Sequence, residues 1–476
     1  MKVPIGRERG IGAATAPPSS TAGDFHLFDT DDGPHLLIVD GSQIYKIDEA
    51  LERQLKSARA LGGTAPALVL SKHGLVGSRH IDGTAPVDPP VRALSLAVAE
   101  RCNLGCTYCY AEGGSFGGTP RGMSWEVAVA SIYRLMADVK PGDRVSLAFL
   151  GGEPLINRDL IRRATELAVH NAAVRKIAVA FSITTNGTLL RESDADFFER
   201  YGFAVTVSLD GVGDTHDRLR PTKSGRGTYD KVIANVKPLL ARQRHMQVSA
   251  RVTVTPANLN LHDTLDQFIK LGFHSVGFSP MLSAPTRHGE MQAPDLQILL
   301  DNMITCGREF ERRVAANESY PFANMMTALE EIHRGTHRPY PCGAGAGYFG
   351  VSASGGLFAC HRFVDDQARS MGDVSAGVDR ERQRAWLEKR HVERQEPCRS
   401  CWARYLCGGG CHYEVIHRGR PACDYIRGWL DYALGAYVRL STLRPELFSI
   451  VDFRRGVVGR KDAALFPGEA LDQTSF

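Results

Sequence analysis

The segment Cys102-Asn-Leu-Gly-Cys106-Thr-Tyr-Cys109 places three thiols within eight residues, in a CxxxCxxC spacing just after an apolar, strand-like run. Three thiolates in one short loop can hold three irons of a [4Fe–4S] cube and leave the fourth open to a small molecule. An open metal position marks chemistry, whereas a closed one marks structure. A structural zinc would call for a fourth Cys or His at short spacing, and the nearest histidines, His73 and His80, lie upstream of the strand. Disulfide frameworks suit small secreted chains, which a chain of 476 residues is not.

Seven of the eleven cysteines fall in the carboxyl third: Cys342, Cys360, then Cys398-x2-Cys401-x5-Cys407-x3-Cys411, and Cys423. A CxxC pair also occurs in zinc ribbons. Cys306 stands alone and reads as a small apolar residue of a helix. Polar groups recur at or near the ends of apolar runs: Gly151-Gly152-Glu153, Ser182, Asn186 in Thr-Thr-Asn-Gly, Ser208 and Asp210 in Ser-Leu-Asp-Gly, and Arg251 inside a run. Paired glycines let the backbone come close to a ligand. Glu153 offers a carboxylate to a cationic amine, and Arg251 a fork for a carboxylate. Taken singly, each of these is also a turn or cap residue.

The elements that must position these groups alternate. Strands are expected at 93–99, 145–150, 177–184, 203–209, 247–254 and 275–281, rich in Val, Ile, Leu and Phe as strands buried on both faces should be. Helices are expected between them, at 125–138 after the cap Ser124 and at 229–242. Six strand–helix units imply a parallel sheet with right-handed crossovers, hence an α/β fold with an open partial barrel and ligand residues at the carboxyl ends of its strands. Upstream, 25–28, 35–39 and 43–47 read as three short strands, with Asp48 capping a helix through Leu55. The sequence after Cys423 has the pattern of an amphipathic helix packed on the cysteine-rich region.

Composition narrows the classes. Apolar residues make up 43% and charged residues 23%, as in globular chains of several domains. A net charge of +4, evenly spread, gives no argument for nucleic acid or an anionic membrane. No run is long enough to span a bilayer. The first 23 residues contain no continuous apolar segment, so no secretory signal is expected. The chain reads as cytoplasmic, with reduced thiols available to metals.

The CxxxCxxC loop with Tyr108 before its last cysteine resembles the signature of radical S-adenosylmethionine (SAM) enzymes, and Gly151-Gly152-Glu153 resembles their GGE motif. The resemblance implies a [4Fe–4S] cluster on Cys102, Cys106 and Cys109. It also implies SAM contacts from Tyr108, Gly151, Gly152, Glu153, Ser182, Asn186, Ser208, Asp210 and Arg251. His216-Asp-Arg-Leu-Arg220-Pro221 resembles an element near the substrate channel, and a solvated loop reads the same way. The seven later cysteines resemble a SPASM domain with two auxiliary [4Fe–4S] clusters. The family pattern gives Cys398, Cys401, Cys407 and Cys423 to the outer one and Cys342, Cys360 and Cys411 to the inner one. Two fully thiolate-bound cubes need eight ligands and seven are present, since Gly343-Ala-Gly-Ala-Gly-Tyr-Phe349 stands where sulfatase-maturing relatives have another cysteine. The inner cluster then has an iron for a substrate thiolate, or for a protein ligand such as His361.

The implied organisation is a flexible 1–23, a small β-rich peptide-recognition-like unit and linker at 24–90, and a partial (β/α)6 radical SAM barrel at 91–300. A helical linker at 301–340, a SPASM domain at 341–430 and a C-terminal helix and tail at 431–476 follow. The whole resembles the maturases of quinohemoprotein amine dehydrogenase. These join Cys sulfur to methylene carbons of Asp or Glu within the dehydrogenase's small cysteine-rich subunit. The resemblance implies a substrate with a leader segment, a reductant such as flavodoxin or ferredoxin, and three clusters. No general base is assigned. Other SPASM maturation chemistry, a carbon–carbon crosslink or formylglycine-type oxidation, is the alternative, as is a non-enzymatic iron–sulfur or zinc protein.

Overall fold

The computed structural model describes residues 24–75, 77 and 83–449. The expectations made for residues 1–23, for His80 and for the tail beyond 449 lie outside the described residues.

Six strands, β4 (Ala93–Ala99), β5 (Arg144–Gly151), β6 (Ala178–Thr185), β7 (Ala204–Ser208), β8 (Gln247–Val254) and β9 (Ser275–Pro280), pair in parallel in that order. This is the α/β partial barrel that the alternating pattern implies. The connections are helical: α3 (Trp125–Leu135), α4 (Arg158–Arg175), α5 (Glu192–Arg200), α6 (Asp214–Leu219), α7 (Tyr229–Arg242) and α8 (Leu261–Lys270). Ser124 caps α3 by accepting the Val127 N–H at 3.4 Å, and α3 stops at Leu135, short of the expected 138.

The expectation of strands buried on both faces holds for β4, every residue of which is buried, and fails for β5 to β8. There burial alternates: Val145, Leu147 and Phe149 are buried on one face of β5, while Ser146 and Ala148 are not. The apolar face packs under helices, for example against Val232, Val236 and Leu239 of α7 and Leu265 and Phe268 of α8, all 0% exposed. Each such side chain contributes about 1.5–3 kcal/mol. The other face carries small groups, among them Ser146, Ala148, Ser182, Thr206 and Ser208, and lines a cavity of about 440 Å³. An ordinary closed barrel fills its interior with Val, Ile and Leu; this one keeps it hollow.

The sheet continues beyond the barrel. β10 (Tyr348–Val351) lies parallel beside β4, and β11 (Gly356–Phe358), β12 (Ser370–Asp373) and β13 (Gly377–Val378) extend it antiparallel to ten strands. The carboxyl third is therefore joined to the barrel edge by backbone hydrogen bonds, a connection with no signal in its cysteine pattern. Glu100, at the end of β4, accepts the Ala353 N–H from the β10–β11 turn at 2.7 Å.

The amino-terminal unit is an antiparallel sheet, β1 (Phe25–Thr30), β2 (Gly33–Ile38) and β3 (Gln43–Lys46), followed by α1 (Glu49–Leu61) and α2 (Ala65–Lys72). Asp48 caps α1 through the Leu51 N–H at 2.7 Å, and α1 runs past the expected Leu55 to Leu61. The unit docks on the cysteine-rich region: His26 stacks on Trp402 at 3.7 Å, and the buried Arg404 pairs with Asp24 at 2.8 Å. Two long helices, α9 (Ala293–Ala315) and α10 (Ala323–His333), precede β10, and Cys306 on α9 is 0% exposed, the apolar position expected of it. The elements α11 (Arg380–Arg390), α12 (Arg404–Cys407) and α13 (His412–Arg418) carry the later cysteines towards α14 (Cys423–Leu443).

The helix α14 meets its expectation at one end only. Its first turn, Cys423 to Arg427, borders the cysteine-rich loops with Cys398, Cys401 and Cys407 as expected, while the rest of its length packs on α9, α10 and β1. Gly428 admits Leu300 and Gly307 admits Tyr432, each where a Cβ would collide at 2.5 Å or less. Close helix approach of this kind needs glycine at the crossing.

Candidate active site

The Cys102–Cys109 loop leaves the carboxyl end of β4, and distant chain holds it in place. Gly105 N–H donates to Pro221 O at 2.9 Å and Thr107 N–H to Leu219 O at 3.2 Å, with a bridge between Leu104 and Thr222. Asn186 Nδ2 reaches Asn103 Oδ1 at 2.9 Å and Cys102 Sγ at 3.6 Å. All three thiols line the 440 Å³ cavity. Burial pushes the Cys106 thiol up to about 11, with Arg220 pulling it down. Thiolates here need a bound metal, which deprotonates its sulfur ligands outright.

Of the residues expected around SAM, Tyr108, Gly151, Gly152, Ser182, Asn186, Ser208 and Arg251 line this cavity, while Glu153 and Asp210 do not. Glu153 is fully buried and already engaged: Oε1 accepts Thr185 Oγ1 at 2.7 Å and Leu155 N–H at 3.1 Å, and Oε2 accepts Asn186 N–H at 2.7 Å. Its carboxylate ties the ends of β5 and β6 together. Asp210 accepts from Tyr108 Oη, from Arg220 at 3.3 Å and from Thr253 N–H at 2.8 Å. The glycine pair also packs closely on backbone. A Cβ on Gly151 would lie 2.3 Å from Ala99 O, and one on Gly152 2.5 Å from Arg101 O, so what these glycines approach is the backbone leading into the cysteine loop. Arg251 donates to Ser279 Oγ across β8 and β9.

The later cysteines fall into two places. Cys398, Cys401, Cys407 and Cys423 line one cavity of about 60 Å³, which Cys411 also borders. Gly408, Gly409 and Gly410, all with φ between 70° and 95°, turn the chain between Cys407 and Cys411, and the Gly409 and Gly410 amides donate to the Cys407 sulfur. Sequence reasoning passed over this glycine triplet, although three consecutive glycines between metal-ligand candidates are a visible signal for N–H groups aimed at sulfur. Cys342, Cys360 and Cys411 lie near enough to act on one another's charge. Burial pushes Cys342 up to about 12.

The two regions share a wall. The barrel cavity extends to Tyr110, Tyr348, His361, Arg362 and Glu414. Arg362 Nη1 sits 2.8 Å from Glu414 Oε1 and 3.9 Å from Cys411 Sγ, and its guanidinium covers the Tyr413 ring at 4.0 Å. His361 Nδ1 bonds Tyr348 Oη at 2.8 Å, and burial lowers this imidazole to about 4, leaving it neutral.

The residues present fit iron–sulfur clusters at these places. Among the buried polar atoms of the described residues without a hydrogen-bond partner are Arg220 Nε, Arg362 Nε, Arg390 Nη2 and His412 Nε2. Each belongs to a side chain beside the cysteines, where the sulfides of a bound cluster would accept from it. Among the described residues, no three His, Cys, Asp or Glu side chains crowd one point closely enough to share a single ion. Thiolates that each take a different iron of a cube stand apart around it.

Comparison with known proteins agrees with this geometry. Residues 96–268 match the Radical SAM superfamily, whose members bind SAM and a [4Fe–4S] cluster. The chain is 24% identical over 390 residues to a serine-type anaerobic sulfatase-maturating enzyme of Klebsiella aerogenes, covering 78% of this chain and 91% of that protein. It is 31% identical over 205 residues to a cysteine-type anaerobic sulfatase-maturating enzyme of Clostridium novyi, covering 40% and 52%. The solved structure of native anSMEcpe with bound AdoMet and Kp18Cys peptide superposes with a TM-score of 0.63 at 21% identity, covering 74% of this chain and 99% of that one. Among the described residues no helix is long and apolar enough to cross a membrane. The barrel of this chain has the radical SAM fold.

Proposed function

We propose that this chain is a SPASM-type peptide maturase that joins Cys sulfur to the methylene carbon of an Asp or Glu in the same peptide, its substrate being the small subunit of quinohemoprotein amine dehydrogenase. The observation that carries the reading is the single cavity bordered by Cys102, Cys106 and Cys109 at one end and by His361, Arg362 and Glu414, beside Cys360 and Cys411, at the other. A peptide lying in it reaches both places at once.

In this reading Cys102, Cys106 and Cys109 hold the first cluster. Arg251, Ser182, Asn186 and Ser208 line the place for SAM, which when bound supplies hydrogen abstraction from a substrate carbon. The small side chains on the inner face of β5 to β8 leave the volume that SAM and a peptide need. Cys398, Cys401, Cys407 and Cys423 hold the outer auxiliary cluster, closed by its four thiols. Cys342, Cys360 and Cys411 hold the inner one and leave room for a fourth ligand. The stretch that would have carried an eighth cysteine is tied down: Gln383 Nε2 donates to Gly345 O at 3.1 Å and to Ala346 O at 2.9 Å, and Trp386 Nε1 to Ala344 O at 2.9 Å. A substrate sulfur held at the inner set loses its proton there and is fixed for bond formation. The β-rich unit at 24–90 would take the leader segment as an added strand beside β3, the edge strand away from α14. Flavodoxin or ferredoxin would supply electrons, in a cytoplasm that keeps the thiols reduced.

Co-expression with the small cysteine-rich subunit, followed by intact mass and thiol alkylation, tests the reading. Each thioether removes two hydrogens and one alkylatable thiol. A carbon–carbon crosslink removes two hydrogens and no thiol, and formylglycine-type oxidation removes the sulfur itself. Either of those outcomes replaces the proposed chemistry. A His361→Ala variant that loses the inner cluster while the peptide leaves its spectrum unchanged makes His361 the fourth ligand.

A further inference from the structure

The segment His216-Asp-Arg-Leu-Arg220-Pro221 forms a strap laid along the first cysteine loop. His216 Nδ1 accepts the Asp210 N–H at 3.2 Å and Nε2 bonds Thr228 Oγ1 at 3.1 Å, fixing one end of the strap. Asp217 Oδ1 accepts the Thr228 and Tyr229 N–H groups at 2.6 and 2.8 Å and so starts α7. The carbonyls of Leu219 and Pro221 then take the amides of Thr107 and Gly105. Between those two carbonyls, Arg220 turns inward: Nη1 donates to Tyr108 Oη at 2.6 Å and lies 3.3 Å from Asp210 Oδ2, with Tyr108 Oη itself donating to Asp210. The residue is 9% exposed, and Nε has no partner.

A buried cation beside three thiols has an electrostatic consequence. The guanidinium bonds Tyr108, which lies between Cys106 and Cys109, and the carbonyls on either side of Arg220 hold the Gly105 and Thr107 amides that flank Cys106, so the cation and its partner Asp210 are fixed beside the thiols. Adding an electron to a thiolate-bound cube increases negative charge in a poorly solvated place, and a fixed cation nearby favours the reduced form.

We infer that Arg220 is a positioning cation of the first cysteine loop, which locks Tyr108 and Asp210 against that loop and raises the reduction potential of the cluster it holds, Asp210 lowering the same potential. This rests on the cluster assignment proposed above for Cys102, Cys106 and Cys109.

The test is an anaerobic redox titration of the full-length, cluster-loaded protein, following the EPR signal that changes on adding SAM, with iron counted in parallel. Arg220→Gln lowers the reduced-to-oxidised ratio at a fixed poise about tenfold, equivalent to about 59 mV for a one-electron couple. Arg220→Lys, which keeps the charge and loses the fork, restores most of it. Asp210→Asn moves the midpoint in the opposite direction. A purely structural strap would make all three variants lose iron or shift together. Arg220→Gln with full iron and an unmoved midpoint overturns the inference, as does Asp210→Asn shifting the same way as Arg220→Gln. Should Arg220→Gln fail to load iron, the sign of the Asp210→Asn shift decides. A wild-type protein without any SAM-sensitive cluster signal fails the proposed function itself, and this inference with it.

Discussion

The first cysteine loop and the outer cysteine set are built in opposite ways. The first spans eight residues of sequence, yet its walls come from Asn186, from the strap at 219–222 and from inward-facing side chains of several strands, and it opens into about 440 Å³. The outer set draws four thiols from a 26-residue stretch, Cys398 to Cys423, wrapped on its own glycine turns around about 60 Å³. Mostly local chain lines the outer site, with Pro280 and Leu282 added from the end of β9. Keeping a site open takes distant chain that bounds a cavity without filling it.

Four tests would break or sharpen that contrast. The largest effect is expected from Cys102→Ala, Cys106→Ala or Cys109→Ala. Deoxyadenosine production stops, while about eight of roughly twelve irons per chain stay bound, if three cubes are present; iron analysis with product chromatography checks this. Loss of all iron would mean that the two regions are not built independently. Gly408→Ala comes next. It forces a side chain into the left-handed region at φ 70° and 2.5 Å from Tyr340 backbone atoms. The conformation alone costs about 1–2 kcal/mol. Outer-cluster iron should fall while SAM cleavage persists, as iron counts and denaturant unfolding would report.

The third concerns pH and the long-range side of the contrast. Burial, with Arg220 adding to it, depresses His216 from 6.5 to about 4. A depressed histidine contributes stability that is complete above its unfolded pKa and is lost as pH falls through the window from about 6.5 to about 4. The full loss is up to about 3 kcal/mol. Urea midpoints measured across that window should fall with pH in the wild type, and less steeply in His216→Gln. Equal slopes would contradict the placement of His216. The smallest effect is expected from Lys46→Ala, which breaks an exposed pair with Asp32 at 2.7 Å. Exposed pairs contribute little, so the melting temperature should not move measurably.

Much of this was legible in the chain, for identifiable reasons. The strands at 93–99 and 247–254 and the helix at 229–242 are found at the expected bounds, because apolar runs between cap and turn residues are local signals. Tyr108, the glycine pair and Asn186 sit in short motifs and Arg251 inside an apolar run, and all of them line the barrel cavity. The hollow barrel was visible in Val-Ser-Leu-Ala-Phe at 145–149, an alternation that counting apolar residues hides. What the motifs could not supply is partnership across the sequence. For Glu153 and Asp210 the motifs show none of the partners the structure supplies, Thr185 and Asn186 for the one and Tyr108 and Arg220 for the other. Arg362 carries no local mark at all, and Arg220 only its place in the 216–221 element. The joining of β10 to β4 depends on residues about 250 positions apart, and no periodicity records it.

The central claim is that the inner cysteine set keeps an iron for the substrate's sulfur. It is tested most directly by the EPR spectrum of the reduced auxiliary clusters, recorded without oxygen before and after adding the peptide, alongside the same peptide with its crosslinking cysteine changed to serine. The account predicts that the cysteine peptide alone alters one auxiliary signal. Identical spectra with both peptides would contradict it.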